Sequence, residues 1–233
     1  MVVGFLVCGC VLCVAWAGYV VYRIERHQMF LRNGRQALER ADVRSAHSFA
    51  QRAVEDRQND IDACRLMADV QDAVGYPTAL AWRLRAAQLD PSNILNYLAW
   101  AETALKLGNA GLALQALNSA PAERTGRADW QNLMGRTETA LNQFAEAESR
   151  FGQAVRLQPA DPIYRINLYS IRLRSADRAI AADAQRRLEE LAGDQHDGIL
   201  ALEALLRQAL DSNDLERAIL RGQDRCAARR GLQ

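Results

Sequence analysis

The sequence contains few residues whose types and spacing could support catalysis or metal binding. Its three histidines, His27, His47 and His196, lie far apart and do not form the H-x-x-x-H or H-E-x-x-H spacings that place two imidazoles on one helix face. No glycine-rich loop has the spacing of a phosphate-binding motif. We therefore expect no catalytic site, no metal site and no cofactor, and a function other than that of an enzyme.

Two short motifs have the residue types of a redox or metal site, but their context favours a structural role. Cys10 and Cys13 have the C-x-x-C spacing, yet they lie inside an apolar segment without a strand or loop around them. Asp194, His196 and Asp197 lie in a stretch that we interpret as the loop between two helical repeats. The remaining cysteines do not indicate a disulfide framework; they are Cys8, Cys64 and Cys226.

Composition is that of a folded chain with balanced charge. The 233 residues are 49% hydrophobic, with only 5 prolines and 14 glycines, so a sizeable core is possible and long disordered stretches are not indicated. Lysine and arginine together number 29 against 28 acidic residues, a formal net charge of +1. This balance removes bulk electrostatic attraction as a basis for binding, so we expect no nucleic-acid partner.

An apolar segment at the N-terminus predicts a single transmembrane helix. Residues 2–22 carry no charge, and a helix of this length spans about 30 Å, the thickness of a bilayer's hydrocarbon core. Trp16, Tyr19 and Tyr22 come at its end, where aromatic rings favour the membrane interface. We assign residues 1–24 to a membrane anchor that contacts the lipid bilayer through residues 2–22.

Charge after the segment predicts its orientation. Arg23, Arg26, Arg32 and Arg35 follow the segment and no basic residue precedes it, which by the positive-inside rule places the following residues in the cytoplasm. Among the basic residues only Lys106 is a lysine, a bias typical of a GC-rich bacterial genome. We therefore predict a single-pass protein of the bacterial inner membrane. Cleavage after Ala17, at a small-x-small site, is the alternative and would give a periplasmic protein.

Small residues recur at every fourth position of the predicted anchor. Gly9, Cys13 and Ala17 form a small-xxx-small stripe, a pattern that lets two membrane helices approach closely. The stripe is a candidate packing site for other membrane helices. It leaves open an accessory role in which the chain is a structural subunit of a larger membrane complex.

The rest of the chain has an internal period of about 34 residues, which is typical of helical repeats. Two alanine columns keep this register, and no segment has the alternating pattern of a strand. The first column is Ala46, Ala79, Ala113, Ala147 and Ala181; the second is Ala53, Ala86, Ala120, Ala154 and Leu188. Gly34 and Gly135 also occupy equivalent positions. We therefore predict an all-α fold whose small residues mark close helix contacts.

The pattern resembles the tetratricopeptide repeat (TPR) family, whose second helix follows A-x3-F-x2-A-x4-P. Ala147, Phe151, Ala154 and Pro159 match this pattern in full. The resemblance covers residues 29–230, is strongest in the middle and weakens after Pro159. It implies a TPR-like α-solenoid of five to six helix-turn-helix repeats over residues 25–230, preceded by the transmembrane helix.

The resemblance also implies a function in binding a protein or peptide along the concave face formed by the first helix of each repeat. We therefore predict a membrane-anchored scaffold for protein–protein interaction. Register places the following residues on that face: Cys64, Ala68, Gln71, Leu98, Glu102, Leu105, Asn132, Arg136, Thr139, Ile166 and Ser170. The candidate partner-binding residues among them are the polar ones, Gln71, Glu102, Asn132, Arg136 and Thr139.

The junction between anchor and repeats contains no helix-breaking signal. From Tyr22 to Ala41 there is no proline, and Gly34 is the only glycine. We expect the membrane helix to continue into the first helix of the first repeat without interruption.

Overall fold

The computed structural model describes the backbone of residues 2–193 and 198–211, and the side chains of residues 16–193 and 198–210. These residues form helices joined by short turns, and the described part of the chain contains no strand. The helices are α1 (Val2–Glu39), α2 (Val43–Asp56), α3 (Ile61–Ala73), α4 (Ala79–Leu89), α5 (Ile94–Lys106), α6 (Ala110–Ser119), α7 (Ala128–Ala140), α8 (Phe144–Leu157), α9 (Pro162–Arg172), α10 (Arg178–Ala192) and α11 (Gly198–Asp211). A short 3-10 turn, Ala122–Gly126, precedes α7.

The chain divides into two compact units, residues 1–108 and residues 109–233. In the first unit α1 packs on α2 and α3 packs on α4; in the second, α7 packs on α8 and α9 packs on α10. Within a unit, consecutive pairs also contact each other: α2 contacts α3, α4 contacts α5 and α8 contacts α9. Both units are therefore stacks of helical hairpins, in which the apolar face of one pair is covered by its neighbour.

Local sequence explains where the helices begin and end. Several helices start at an aspartate whose carboxylate accepts a hydrogen bond from a first-turn N–H; these are Asp42, Asp60, Asp161 and Asp177. Helix α6 ends at Ser119, two residues before Pro121, which cannot continue a helix. At the end of α3, Gly75 adopts a left-handed conformation with φ of 72°. The same conformation is adopted by Ala41 after α1, with φ of 57°.

The alanine columns form the inner contacts of the hairpins. All members of both columns from Ala46 to Ala154 are buried, and Leu188 is fully buried in α10. The exception is Ala181, which is half-buried, while Ala184 one turn later is fully buried. The prediction for Ala181 is therefore wrong: the fully buried alanine of α10 is Ala184, while Leu188 keeps the register of the second column.

Two glycines lie where helices approach closely. A β-carbon added at Gly135 of α7 would lie 2.8 Å from Cε1 of Phe151 on α8. One added at Gly34 of α1 would lie 2.6 Å from Cδ2 of Leu66 on α3. Both glycines therefore leave room for a large apolar side chain of another helix. Their predicted equivalence stays a prediction, because Gly135 faces the following helix, α8, whereas the nearest atom at Gly34 belongs to α3.

Helix α1 is continuous from Val2 to Glu39, so the predicted absence of a break at the junction is confirmed. It is held against α2 by Asp56, the last residue of that helix, whose side chain is only 3% exposed. Arg26 forms an ion pair with this carboxylate, and Arg23 Nη2 lies 3.6 Å from Asp56 Oδ1. The fully buried His27 lies between Asp56 and Asp60, 3.3 Å from each carboxylate.

Among the residues whose side chains are described, which begin at Trp16, no helix is long and apolar enough to cross a membrane. The greater part of the predicted anchor, residues 1–24, lies outside that range. The described end of the segment carries exposed aromatic side chains, those of Trp16, Tyr19 and Tyr22.

Candidate functional site

The second unit contains a cavity of about 760 Å³ on the face that α7, α9 and α11 share. Helices α7 and α9 are the first helices of two successive hairpins, and α9 packs beside both α7 and α11. The volume lies within the range of about 300–1,000 Å³ that is typical of ligand sites in proteins. The cavity also reaches Phe151 of α8, the residue that covers Gly135.

Apolar side chains of α9 and α11 form much of the cavity wall. Ile166 and Ile171 are buried, so they form the inner surface, while Ile163 is 46% exposed and Leu200 is 43% exposed. Exposed aliphatic side chains at a concave surface favour contact with apolar groups of a partner, because such contact removes their area from water.

Charged side chains surround this apolar surface. Arg136 comes from α7, Arg174 from the turn after α9, and Arg207 from α11; Glu203 of α11 is the acidic residue among those that line the cavity. The Arg174 guanidinium lies 5.2 Å from the centre of the Phe144 ring, a cation–π distance that orients it at the end of α9.

The uncharged polar groups of the wall are bound within the protein. The hydroxyls of Thr139 and Ser170 donate hydrogen bonds of 2.8 and 2.6 Å to the carbonyls of Gly135 and Ile166 on their own helices. Asn167, which lines the cavity, donates from Nδ2 to Oδ1 of Asn132 at 2.7 Å. Each of these oxygen atoms keeps acceptor capacity, because hydroxyl and amide oxygens have two lone pairs.

Two ion pairs stabilise α7, the helix that supplies one wall. Burial alone would raise the pKa of Asp129, but hydrogen bonds from the Arg127 side chain and the Trp130 N–H hold the pKa below its ordinary value. At the other end of α7, burial raises the pKa of Glu138 although Arg150 donates to it at 3.2 Å.

The structure places the predicted partner-binding residues in different environments. Arg136 and Thr139 line the cavity, together with Ile166 and Ser170. Asn132 is buried and contacts the cavity residue Asn167. In the first unit, Gln71 and Glu102 are half-buried.

The repeat register did not correctly predict which residues of α3 are accessible. Cys64 and Ala68 are both fully buried, so the prediction that they lie on an accessible face is wrong. Helix α3 packs on both α2 and α4, so much of its surface is covered by neighbouring helices. Burial also raises the pKa of the Cys64 thiol, as expected for a core cysteine.

The residues of α11 that line the cavity were not predicted from the sequence. The repeat signature fades after Pro159, so no register could be carried to Leu200, Glu203 and Arg207. The available signal was their spacing of three and four residues, which places them on one helix face.

The remaining candidates lie at the edge of the described chain. For Gly9 and Cys13 only the backbone within α1 is described, and Ala17 is exposed. The loop residues Asp194, His196 and Asp197 lie outside the described residues. Within the described side chains, no three His, Cys, Asp or Glu residues are grouped so that they could hold a metal ion.

Stacked helical hairpins with buried alanine columns and a glycine facing phenylalanine define the fold class of the chain as a TPR-like α-solenoid. No protein-family model matches the sequence, and no curated protein is significantly similar to it. Solved structures do match. PilF of Pseudomonas aeruginosa is 18% identical with a TM-score of 0.65, over 86% of this chain and 90% of that one.

Two further structures support the same fold. MamA, from residue 41 to its end, of Desulfovibrio magneticus RS-1 is 20% identical with a TM-score of 0.63, over 71% of this chain and 94% of its own. YrrB, described as a TPR protein with an unusual peptide-binding site, is 18% identical with a TM-score of 0.58, over 75% and 89% of the two chains. Identities at this level show the fold alone.

Proposed function

We propose that the chain is a scaffold that binds a protein partner through the α7–α9–α11 cavity. The observation that carries the proposal is the cavity itself, which combines a buried apolar inner surface with exposed Ile163 and Leu200 and a charged rim. YrrB, which has a similar fold, is described as a TPR protein with an unusual peptide-binding site. This description supports a peptide segment as the ligand. Loss of water from the exposed aliphatic side chains would supply affinity, and the rim would supply specificity.

Affinity purification with a matched pair of variants tests the cavity. The full-length chain is purified from gently solubilised membranes as wild type and as the double variant Ile163→Asp, Leu200→Asp. The control is Leu157→Asp, Ile180→Asp, because these two side chains are exposed to the same extent, 42% and 41%, but lie on α8 and α10 and do not line the cavity. We expect the partner to be lost from the first variant and retained by the control. Retention by both variants would exclude the cavity as the binding site.

We further propose that the scaffold is anchored in the bacterial inner membrane, with its repeats in the cytoplasm. The support comes from the uncharged run of residues 2–22, the arginines that follow it and the continuity of α1 through Glu39. A direct helical connection would hold the first hairpin close to the bilayer surface. Resistance of the chain to alkaline carbonate extraction tests anchoring, and a reporter fused after Gln233 tests orientation.

Intact-mass measurement of the purified chain separates the anchor from its alternative. A chain that begins at Gly18 would contradict the anchor and support a cleaved periplasmic protein. A chain that retains residues 1–17 would exclude cleavage after Ala17.

The alternative that the chain is an accessory subunit of a membrane complex is tested by substitutions in the small-residue stripe of Gly9, Cys13 and Ala17. Ala17 is exposed at the described end of the stripe, so its face of α1 is accessible to another helix. The triple variant Gly9→Leu, Cys13→Leu, Ala17→Leu would release the chain from such a complex while leaving the cavity intact. Unchanged co-purification would argue against helix packing at this stripe.

A further inference from the structure

We propose that the turn between α2 and α3 lies on the membrane surface, where Arg57 and Arg85 bind the phosphates of lipid headgroups. This inference rests on the proposed membrane anchor and adds to it the part of the first unit that contacts the bilayer. It follows from the direction of α2 along α1 and from the contacts that join both ends of the turn to α1.

Helix α2 runs back along α1 towards the predicted membrane segment. Helix α1 ends at Glu39, and after a short turn α2 runs from Val43 to Asp56 and packs on α1. The last residue of α2 is then level with Arg26, its ion-pair partner on α1. Because α2 points towards residues 2–22 at this end, the residues that follow Asp56 extend towards the bilayer.

His27 of α1 contacts both ends of the turn. Its side chain is fully buried, with Nδ1 3.3 Å from Asp56 Oδ2 and Nε2 3.3 Å from Asp60 Oδ2. Residues 57–59 lie between these two aspartates. His27 follows Tyr22, the last residue of the uncharged run, by five residues, which at about 1.5 Å per residue places it about 8 Å further along the helix.

This distance matches the thickness of the headgroup layer. A bilayer is about 40–45 Å thick with its headgroups and about 30 Å without them, so each headgroup layer measures about 5–8 Å. With Tyr22 at the edge of the hydrocarbon core, His27 is level with the outer edge of this layer, and the turn extends from there towards the core. Arg40, in the turn after α1, is then about 27 Å from the core.

The side chains of the turn suit a headgroup layer better than a hydrocarbon core. Gln58 and Asn59 are exposed and Arg57 is half-buried, so the three residues of the turn are all polar. Arg85 of α4 is exposed beside them, and its Nη2 donates to Asn59 Oδ1 at 2.5 Å. Among the described side chains, neither Arg57 nor Arg85 forms an ion pair with a carboxylate. Because a guanidinium group binds phosphate through paired N–H donors, these two arginines favour lipid phosphate as the ligand.

Fluorescence quenching in vesicles tests the position of the turn. The full-length chain is reconstituted into phosphatidylcholine–phosphatidylglycerol vesicles, with a fluorophore attached to p-azidophenylalanine incorporated at Gln58. The vesicles contain a lipid with a nitroxide on its headgroup or a lipid with a nitroxide near the end of its acyl chain. The matched control carries the fluorophore at Arg40, which is also exposed but lies at the far end of α1. We expect the headgroup nitroxide to quench the label at Gln58 strongly and the label at Arg40 hardly at all, with little quenching of either by the acyl-chain nitroxide.

A pair of charge-reversal variants tests the phosphate contact. In Arg57→Glu, Arg85→Glu, quenching of the Gln58 label by the headgroup nitroxide should fall, because the new carboxylates repel lipid phosphates. The control Arg44→Glu reverses the charge of an exposed residue in the first turn of α2, remote from the predicted bilayer surface, and should leave the quenching unchanged. If circular dichroism shows that the double variant does not fold, the single changes Arg57→Gln and Arg85→Gln replace it, each with a smaller expected fall.

The outcomes separate failure of this inference from failure of the anchor. Equal quenching of the Gln58 and Arg40 labels by the headgroup nitroxide, in a chain that resists alkaline carbonate, would overturn the inference and leave the anchor intact. Stronger quenching of the Gln58 label by the acyl-chain nitroxide would do the same. Release of the chain from the vesicles by carbonate would overturn both. Unchanged quenching in the folded Arg57 and Arg85 variants would overturn the phosphate contact.

Discussion

Asn167 of α9 donates a hydrogen bond from Nδ2 to Oδ1 of Asn132 on α7 at 2.7 Å, and so joins the two helices at the wall of the cavity. Asn132 is buried, whereas Asn167 is half-buried and lines the cavity. The amide of the candidate binding residue Asn132 therefore binds α9 and helps to position that helix. Its neighbour Asn167 lines the cavity and is the amide that a ligand could reach.

We expect this pair to contribute to stability through one coupled interaction. Asn132→Ala and Asn167→Ala should each lower the free energy of unfolding by about 1 kcal/mol, and the double variant should lose less than the sum, with a coupling of about 0.5–1.5 kcal/mol. Urea unfolding of the full-length chain in detergent, followed by circular dichroism, measures all four states of the cycle. Strict additivity would show that the two amides do not act as a pair.

The 34-residue period of alanines predicted the helix pairs, because a small residue at the same position of each repeat lets two helices approach closely. Ala46, Ala79, Ala113 and Ala147 had to be small, since the facing helix leaves no room for more, and all four are fully buried. The prediction failed at Ala181, where a neighbouring alanine, Ala184, could serve the same contact. Residue type alone cannot show which of two alanines three residues apart makes the buried helix contact.

The cavity was only partly predictable, because it depends on contacts between repeats. Arg136 and Thr139 lie on α7, whose register is fixed by Gly135 and the signature of α8, and both line the cavity. On α3, register could not show that Cys64 and Ala68 are fully buried. Arg207 lies beyond the last recognisable repeat signature, so its position depended on the fold.

Gly135 provides a direct test of the helix contact that the repeat requires. In Gly135→Ala the new β-carbon would lie 2.8 Å from the Phe151 ring, and a ring packed in the core cannot move aside freely. Overpacking costs about 1–3 kcal/mol, partly offset by the better helix propensity of alanine, so we expect a net loss of about 0.5–2 kcal/mol.

The control for this change is Gly152→Ala in α8. There the nearest atom to an added β-carbon is Arg156 Nη1 at 3.6 Å, which is an ordinary contact. Helix propensity alone should then stabilise the chain by about 0.5–1 kcal/mol. Thermal unfolding of both variants should give shifts of opposite sign, and shifts of the same sign would show that the contact with Phe151 is not tight.

Ala41 is a site where glycine should be the more stable residue. It follows α1 in the left-handed region, with its N–H donating to the Leu38 carbonyl and the N–H of Asp42 donating to the Ala37 carbonyl. A β-carbon is strained in this conformation, so Ala41→Gly should stabilise the chain by about 0.5–1 kcal/mol despite the greater freedom of glycine in the unfolded state. The reverse change, Gly75→Ala at φ of 72° with open space around it, should destabilise by about 1 kcal/mol. Urea midpoints measure both changes, and a loss of stability in Ala41→Gly would contradict the strain.

Asp56 should make the stability of the first unit depend on acidic pH. Burial alone would raise the pKa of this carboxyl, but the hydrogen bond and charge of Arg26, with the charges of Arg23 and His27, hold the pKa below its ordinary value. A carboxyl whose pKa is lower in the folded state stabilises the protein above its unfolded pKa, about 3.9. This contribution is lost as the pH falls through the lower folded value.

The variant Asp56→Asn should therefore be less stable than wild type by about 1–3 kcal/mol at pH 7, since it removes the buried partner of α1 and leaves the surrounding arginines unpaired. The difference should shrink as the pH falls below the unfolded pKa of about 3.9 towards the lower folded pKa of Asp56. Asp183→Asn is the control, because its ion pair with Arg186 is exposed on α10 and should change stability by less than about 0.5 kcal/mol at either pH. Urea titrations at pH 7 and pH 3 measure the unfolding free energies of wild type and both variants. If Asp56→Asn differs from wild type by the same amount at both pH values, the charge of Asp56 does not hold α1 in place.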